Sequence, residues 1–378
     1  MTETEALLIL NAVKGIGNRG TRELLKHYGS ATKILSLNES DFYSGTNISA
    51  KVIENILHFS KDKFLETEYN LMRKQGVGVT TLWDDQYPDV LKEIADAPIV
   101  LYVKGKLEVQ GSLSIAIVGS RKASFYGSSV SEKFAAQFAR LGFTVVSGMA
   151  RGIDTAVHHG VLDAGGKTIA VLGCGLNNVY PAENKKLLER IAQSGAVVSE
   201  FPMQMEPLAF NFPRRNRLIS GLSLGVIVVE AAQRSGALIT ADFALEQGRD
   251  VFAVPGRIDQ GSSCGSNNLI KQGAKLITCV EDVLQDLQPR LLDHLKHEGE
   301  GSAVADKRRF ELSSPRIDEK KVNLSKDEEI VLGRISDRPV HIDELTDGCG
   351  AAVPIMSILL QLEMKQLIKQ LPGKLFTR

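Results

Sequence analysis

The segment Phe210–Thr240 has the sequence FNFPRRNRLISGLSLGVIVVEAAQRSGALIT, and its pattern indicates the fold of the central part of the chain. Its apolar run, Val226–Val229, is bounded by small and polar residues, as is typical of a strand buried on both faces of a parallel sheet. Arginines precede the run, and Glu230 and a Ser-Gly turn follow it. Ligands of open α/β sheets bind outside the carboxyl ends of the strands. Because guanidinium groups match phosphate oxygens in pairs, the stretch predicts an anion site, and we interpret the anion as a nucleic-acid backbone.

Strands of the same kind recur on both sides of this run, from residue 112 to residue 287. They alternate with segments of helical periodicity, which predicts an α/β domain with a right-handed, doubly wound parallel sheet. Small polar turns follow nearly every strand, and several contain an arginine. Since these turns converge on one edge of the sheet, they reinforce the prediction of an anion site. The predicted strands are Ile115–Val118, Thr144–Val146, Thr168–Leu172, Ala196–Val198, Val226–Val229, Val251–Val254 and Leu276–Thr278.

The region before this domain divides into two predicted parts. Residues 1–70 have helical patterns interrupted by the GIGNRG turn, Gly15–Gly20. That turn leaves two interpretations open: a phosphate-binding helix-hairpin-helix, or a small helical module whose glycines only make a tight turn. Residues 71–111 are predicted to be a connecting segment with one strand in Pro98–Gly105, and the lone tryptophan, Trp83, is expected to be buried.

The region after the central domain also divides into two parts. Residues 288–323 mix charges with few apolar residues, which predicts a flexible linker. Residues 324–378 have the pattern of three helices and a hairpin around Pro372-Gly373, as in a winged helix. The third predicted helix carries few cations, so DNA binding, protein contact and simple packing all remain open for this module.

Composition limits the classes of function. The 378 residues include 45 basic and 45 acidic side chains, so a uniformly basic coat is excluded, whereas a local basic groove is not. The widely spaced cysteines predict neither a disulfide framework nor a zinc site, and we expect no metal or other cofactor. No signal peptide or membrane-length apolar run is present, which predicts a cytoplasmic protein without membrane association.

Motifs for catalysis are weak in this chain. The Gly-Lys-Thr at Gly166–Thr168 precedes a strand instead of following one, so it is not a phosphate loop. His158 and His159 are adjacent and therefore cannot bind one metal from the same helix face. No nucleophile is framed by a recognisable motif. Glu230 remains either a general base or a residue that orients Arg217 or a neighbouring amide.

Six blocks of the central domain resemble the DNA-processing protein A (DprA, or Smf) family. In order, they are IAIVGSRKASFYG, VVSGMARGIDTAVHHGVL, GKTIAVLGCGLNNVYPAEN, FPRRNRLISGLS, VVEAAQRSGALITADFALEQGRDVFAVPG and SSCGSNNLIKQGA. The resemblance implies an extended Rossmann-like domain, flanked by an N-terminal helical domain of the sterile-alpha-motif type and a C-terminal winged helix. Lys365-Gln366 interrupts the winged helix where the family pattern has glycine, which leaves its function open.

The resemblance also implies a function and a set of site residues. Members of the family bind single-stranded DNA in natural transformation, protect it, and load the RecA recombinase onto it in the presence of single-strand-binding protein. They dimerise and are not enzymes. The alternative is a nucleotide-processing enzyme of the phosphoribohydrolase type, with Glu230 in its active site. The DNA-binding residues implied for this chain are Gly119, Ser120, Arg121, Ser147, Gly148, Arg151, Phe212, Arg215, Asn216 and Arg217.

Overall fold

The structure, a computed structural model, describes residues 1–42, 48–107 and 113–288 continuously. Beyond these it describes residues 330–335, 340–341, 345, 355, 358–359, 362, 368–371 and 375–377. The predicted linker, residues 288–323, therefore lies outside the described residues except for its first one, as do Lys365-Gln366 and Pro372-Gly373. The chain forms two compact units, Met1–Gly301 and Ser302–Arg378.

A nine-stranded sheet is the centre of the first unit. Its strands are β1 Val77–Thr81, β2 Val100–Gly105, β3 Ser114–Val118, β4 Thr144–Ser147, β5 Thr168–Val171, β6 Ala196–Ser199, β7 Gly225–Val228, β8 Asp250–Ala253 and β9 Lys275–Leu276. They lie in the order β1-β2-β6-β5-β4-β3-β7-β8-β9. All seven strands predicted for the central domain are present, and they pair in parallel. The doubly wound prediction is confirmed.

The first two strands extend this sheet beyond the seven predicted ones. The predicted strand in Pro98–Gly105 is β2, and it pairs antiparallel with β6, with Tyr102 opposite Ser199. β1 pairs antiparallel with β2 and was not predicted, because its sequence, VGVTT, is short and partly polar. The connecting segment is thus part of the sheet itself.

Helices cover both faces of the sheet because successive strand residues point to opposite sides. Ile115 and Ile117 of β3 belong to a core with the helices that precede and follow β4, whereas Ala116 and Val118 belong to a second core with those that flank β7. The helices of this region are α7 Asp89–Lys92, α8 Phe125–Arg140, α9 Ile153–Asp163, α10 Lys185–Ser194, α11 Asn211–Gly221, α12 Gly236–Glu246 and α13 Cys264–Lys271.

The N-terminal residues are helical, as predicted, and they share one core with one side of the sheet. That core joins Leu7 and Leu24 of the helices to Tyr102 of β2 and Val197 of β6. The helices are α1 Glu3–Ala12, α2 Gly17–Tyr28, α3 Ala31–Ile34, α4 Glu39–Phe42, α5 Ala50–Leu57 and α6 Lys61–Gln75. Trp83 follows β1 and is 56% exposed, so the expectation that it is buried was wrong.

The second unit contains a three-stranded antiparallel sheet with the order β10-β12-β11. β11 Lys369–Leu371 and β12 Leu375–Thr377 are the predicted hairpin strands, and β10 is Val340–His341. His341 is therefore in a strand, although the sequence predicted a helix beginning there. Buried residues of the helical segments and of β12, among them Leu332, Ile358 and Phe376, form the core of the unit. In the described part of the chain, no helix is both long and apolar enough for a bilayer.

Candidate nucleic-acid interface

An open cleft of about 840 Å³ lies at the carboxyl edge of the sheet, where β3 is flanked by β4 on one side and β7 on the other. Chain connections diverge from β3 at this point, which is the position where open α/β sheets bind their ligands. The turn after β3, the start of α11 and the segment that leads into α12 line the cleft. The sequence placed the site at this edge, and the cleft is there.

The cleft is cationic although the chain has no net charge. Arg121, Lys122, Arg215 and Arg234 line it, and Asp154 is its one acidic lining residue among those described. Arg121, Lys122 and Arg234 are exposed, and no described carboxylate lies within 4.0 Å of their charged groups. Burial raises the pKa of Asp154, and the side chain is only 6% exposed. The cleft therefore attracts anions.

Phe212 provides an aromatic surface between these cations. Its ring lies 5.0 Å from the guanidinium carbon of Arg121 and 5.9 Å from that of Arg215, while the ring of Tyr180 lies 5.6 Å away. Gly173 makes room for the ring, because a Cβ there would lie 2.9 Å from Phe212 Cδ1. Phe212 is half-buried and Tyr180 is exposed, so both rings remain available for stacking against a ligand.

Arg215 lies at the bottom of the cleft and is only 4% exposed. Its Nη1 donates to the carbonyl oxygen of Gly148 at 2.6 Å and to that of Val171, and its Nε donates to Asn216 Oδ1 at 3.1 Å. Burial lowers its pKa to about 10, so the side chain is still charged at neutral pH. A Cβ on Gly148 would collide with the guanidinium, which explains the glycine. Arg215 therefore supplies positive charge from a fixed position.

The turns after β3 and β4 serve the protein's own packing more than the sequence suggested. A Cβ on Gly119 would lie 2.6 Å from Ile153, so the packing of α9 requires a glycine at this position. The Ser120 amide donates to the Glu230 carbonyl oxygen at 2.7 Å, and the buried Ser147 hydroxyl donates to the Ile117 carbonyl oxygen at 2.8 Å. Gly119 and Ser120 line the cleft, whereas Ser147 and Gly148 lie beneath it.

Helix α11 divides its polar side chains between two faces. Pro213 is tolerated in the first turn, where backbone amides have no helical partner. Asn216 faces the cleft and donates to the Gly236 carbonyl oxygen at 3.1 Å, which ties α11 to α12. Arg214 and Arg217 are three residues apart and so share the opposite face. There, Arg217 Nη2 lies 2.5 Å from Glu200 Oε2, and Arg214 lies 3.9 Å from the same oxygen.

The structure does not place Arg217 in the cleft. Its side chain is buried between Glu200 and Asp96, and its Nε lies 3.3 Å from Asp96 Oδ2. The same Glu200 carboxylate accepts a hydrogen bond from Asn18 Nδ2 at 3.1 Å. Asn18 belongs to the GIGNRG turn, so that turn joins the N-terminal helices to the sheet domain. The structure favours the interpretation of a helical module over a phosphate-binding hairpin.

Arg151 also lies outside the cleft lining. It is exposed, and it donates to both carboxylate oxygens of Glu183, with 3.0 Å from Nη2 to Oε2. A ligand phosphate would have to compete with that carboxylate for the guanidinium. Of the arginines named from the sequence, Arg121 and Arg215 meet in one cleft, and Arg151 and Arg217 do not join them.

Glu230 orients a neighbouring amide, which is one of the roles that the sequence suggested for it. Its Oε2 accepts from both the amide and the hydroxyl of Ser124, each at 3.0 Å, and Ser124 caps the N-terminus of α8. The carboxylate is buried and does not line the cleft. The Glu230 carboxylate thus lies at the N-terminus of α8, which is the position where a Rossmann protein often binds a ligand phosphate. The other suggested partner, Arg217, is bound by Glu200 instead.

Among the lining residues that the sequence did not identify are two cations, Lys122 and Arg234, and one aromatic residue, Tyr180. Lys122 is adjacent to Arg121, and Arg234 lies in the turn after β7, so both lie near predicted strand ends. Tyr180 comes from the YPAEN segment, which is distant in sequence from the arginines. His158 is buried and neutral: its Nδ1 contacts Thr168 Oγ1 at 2.8 Å, and burial lowers its pKa to about 3.

The fold and the cleft together define a Rossmann-like α/β protein with a separate winged-helix unit. The chain belongs to the DNA recombination-mediator protein A family, because the model of that family matches residues 78–288. The model of the DprA winged helix domain matches residues 317–374. The resemblance seen in the sequence is thereby confirmed, as is the prediction of a winged helix.

Similar proteins and structures agree with this assignment. The chain is 39% identical to Protein Smf of Escherichia coli K12 over 331 residues, which cover 87% of this chain and 84% of the relative. Its sequence is 40% identical to that of DprA from Streptococcus pneumoniae. The X-ray structure of that protein matches this fold with a TM-score of 0.65, and the match covers 75% of this chain and 98% of that one. A structure of Helicobacter pylori DprA, described for its single-stranded DNA binding mode, is 29% identical with a TM-score of 0.51, covering 57% of this chain and 96% of that one.

Proposed function

We propose that the chain is a recombination mediator that binds single-stranded DNA in the cleft after β3 and β7. The observation that carries this proposal is the combination, in one cleft, of an aromatic ring with exposed cations that have no carboxylate partner among the described residues. The family assignment supports it, as does the single-stranded DNA binding described for the Helicobacter pylori relative. The residues proposed to contact DNA directly are Arg121, Phe212, Gly119, Ser120 and Asn216, with Lys122, Tyr180 and Arg234 added from the structure.

Each type of side chain has a separate task in this proposal. Arg121, Lys122 and Arg234 bind phosphates, because their charged groups are exposed and have no described carboxylate partner. Phe212 stacks against a base, a contact worth about 1–3 kcal/mol. Stacking needs an unpaired base, so the cleft favours single strands over duplexes. Arg215 contributes its charge from below and holds the floor of the cleft by its bonds to Gly148 and Val171.

The direct test is the affinity for labelled oligonucleotides, measured by fluorescence anisotropy with single- and double-stranded DNA. We expect Arg121→Glu to weaken single-strand binding by about tenfold or more, since each tenfold step corresponds to about 1.4 kcal/mol. The matched control is Arg190→Glu, an exposed arginine that is outside the cleft and paired with Asp163. Affinity should also fall steeply with salt. Equal affinities for the two variants, or binding indifferent to salt, would contradict the proposal.

The family membership supports a finer proposal about partners. We infer that the protein protects incoming DNA in natural transformation, acts as a cytoplasmic homodimer, and loads RecA onto strands covered by single-strand-binding protein. The measurement is RecA ATPase activity on covered single strands, with Arg121→Glu as the binding-deficient variant. We expect the native chain to shorten the lag before activity and the variant to leave it unchanged. If the native chain and the variant shorten the lag equally, RecA loading does not depend on DNA binding in this cleft.

We also propose that the chain acts without catalysis. In the enzymatic alternative, Glu230 would have to act on a nucleotide, yet its carboxylate is buried, bound to Ser124 and outside the cleft lining. Incubation with nucleoside monophosphates should therefore release no free base. Base release that Glu230→Gln abolishes would favour the phosphoribohydrolase-type enzyme instead.

A further inference from the structure

A second groove lies between the N-terminal helices and the loop that joins β6 to α11. It has a volume of about 530 Å³ and is lined by the turn after α1, by α5 and α6 with the residues between them, and by Pro202 and Gln204 of the loop. We propose that this groove is a second binding site for the same DNA strand that occupies the cleft. The proposal rests on the proposed function, because it extends the path of that strand.

The charged groups of the groove favour an anion. Lys14 and Lys63 line it, are exposed, and have no described carboxylate within 4.0 Å of their amino groups. Glu68 is the acidic residue of the described lining, but it is 2% exposed and accepts from Tyr102 Oη at 2.6 Å and from the Met203 amide at 2.8 Å. Burial raises the pKa of Glu68, and its carboxylate is already bound by these two protein donors. The exposed charges of the described lining are therefore the two ammonium groups, whereas its carboxylate is buried.

The same groove contains two aromatic rings next to these cations. Phe59 and Phe64 meet edge to face, with ring centroids 5.3 Å apart, and both are half-buried. Lys63 is adjacent to Phe64 in the chain. Cations interleaved with rings are the surface chemistry that binds single strands, because phosphates and unpaired bases alternate along them. Both rings also pack against the N-terminal core, and the parts that stay exposed line the groove.

The loop between β6 and α11 connects the groove with the cleft. Pro202 and Gln204 line the groove, whereas Pro207 and Ala209 line the cleft. Three residues of chain span at most about 11 Å, so Gln204 and Pro207 are close neighbours. The loop is held in place, since Asn178 Nδ2 donates to the Gln204 carbonyl oxygen at 2.9 Å. A strand that leaves the cleft across this loop reaches the groove within a few nucleotides.

The experiment compares labelled single strands of about 6 and about 20 nucleotides, of which the first is near the lower end of typical single-strand site sizes (about 4–16 nucleotides) and the second exceeds them. We expect Lys14→Glu/Lys63→Glu to weaken binding of the longer strand by about tenfold or more and to leave the shorter strand unaffected. Because each phosphate contact contributes about 0.7 to the salt slope of single strands, the slope for the longer strand should fall by about 1.4. The matched control is Lys51→Glu/Lys74→Glu, which makes the same charge change on α5 and α6 outside the groove.

A second variant tests the rings without removing the packing. Phe59→Leu retains an apolar side chain and loses the aromatic face. It should therefore weaken binding of the longer strand and leave binding of the shorter strand unchanged. The inference is overturned if both groove variants bind the longer strand like the control while Arg121→Glu still weakens it. It is also overturned if the lysine variant loses binding of a labelled poly-glutamate peptide but not of DNA, because the groove would then be a site for acidic peptides. If Arg121→Glu itself has no effect, the proposed function fails first.

Discussion

Arg217 offers the sharpest test of how α11 is used. The change is Arg217→Met, which retains length and apolar bulk but removes the guanidinium. If Arg217 belongs to a buried ion pair, the variant loses stability. If it contacts DNA, the variant loses affinity. The two outcomes are measured independently on the same protein.

The size of the expected loss follows from the contacts. Removal leaves Glu200, 3% exposed, with the Asn18 amide at 3.1 Å and the exposed Arg214 at 3.9 Å. Breaking a buried pair on one side costs about 3–5 kcal/mol, because an uncompensated charge remains. The second partner, Asp96, is half-exposed, so its contact with Arg217 adds little. We therefore expect a loss of about 3 kcal/mol in the free energy of unfolding.

The assay is urea unfolding followed by far-UV circular dichroism, because the one tryptophan, Trp83, is exposed and reports poorly on burial. With a urea dependence of about 3 kcal/mol per molar, the midpoint falls by about 1 M. The double variant Glu200→Gln/Arg217→Met serves as the control, since it removes both charges and should be more stable than the sum of the single losses predicts. An unchanged midpoint together with a loss of DNA affinity as large as that of Arg121→Glu would refute the ion-pair assignment.

Two further predictions address the cleft and the core. Gly173→Ala should displace the Phe212 ring, because the new Cβ would lie 2.9 Å from Phe212 Cδ1. Single-strand binding, measured by fluorescence anisotropy, should therefore weaken, and an unchanged affinity would exclude this ring from DNA binding. His158 has a folded-state pKa of about 3, below its unfolded value, so protonation favours the unfolded chain and stability should fall by about 1.4 kcal/mol for each pH unit below about 6.5. His158→Gln should flatten that part of the pH dependence in urea unfolding, and an unaltered slope would contradict the assignment.

The architecture was predictable because its signals are local. Each core strand is a short apolar run between helical segments, and burial on both faces requires that composition whatever the partners are. The position of the site followed as well, since parallel strands align their carboxyl ends at one edge. Arg121 was identified in this way, and the structure places it in the cleft beside Phe212.

The strands at one end of the sheet were less predictable. β1 and β2 pair antiparallel and come from a segment interpreted as a connector, and VGVTT has no long apolar run to mark it. β1 is the edge strand and has one neighbour in the sheet, so its composition is close to that of a loop. β2 was predicted as a strand, but its antiparallel pairing with β6 depends on residues that lie far along the chain.

The order of elements, the doubly wound sheet and the edge of the sheet where the cleft lies all followed from local patterns in the sequence. Which arginines line that cleft depended on contacts that form only in the folded chain. Arg215 and Arg217 are two residues apart on one helix, yet one forms the floor of the cleft and the other binds Glu200 beneath Asn18. The physical reason is that a helix points such neighbours in different directions, and their partners come from distant parts of the chain that meet only after folding.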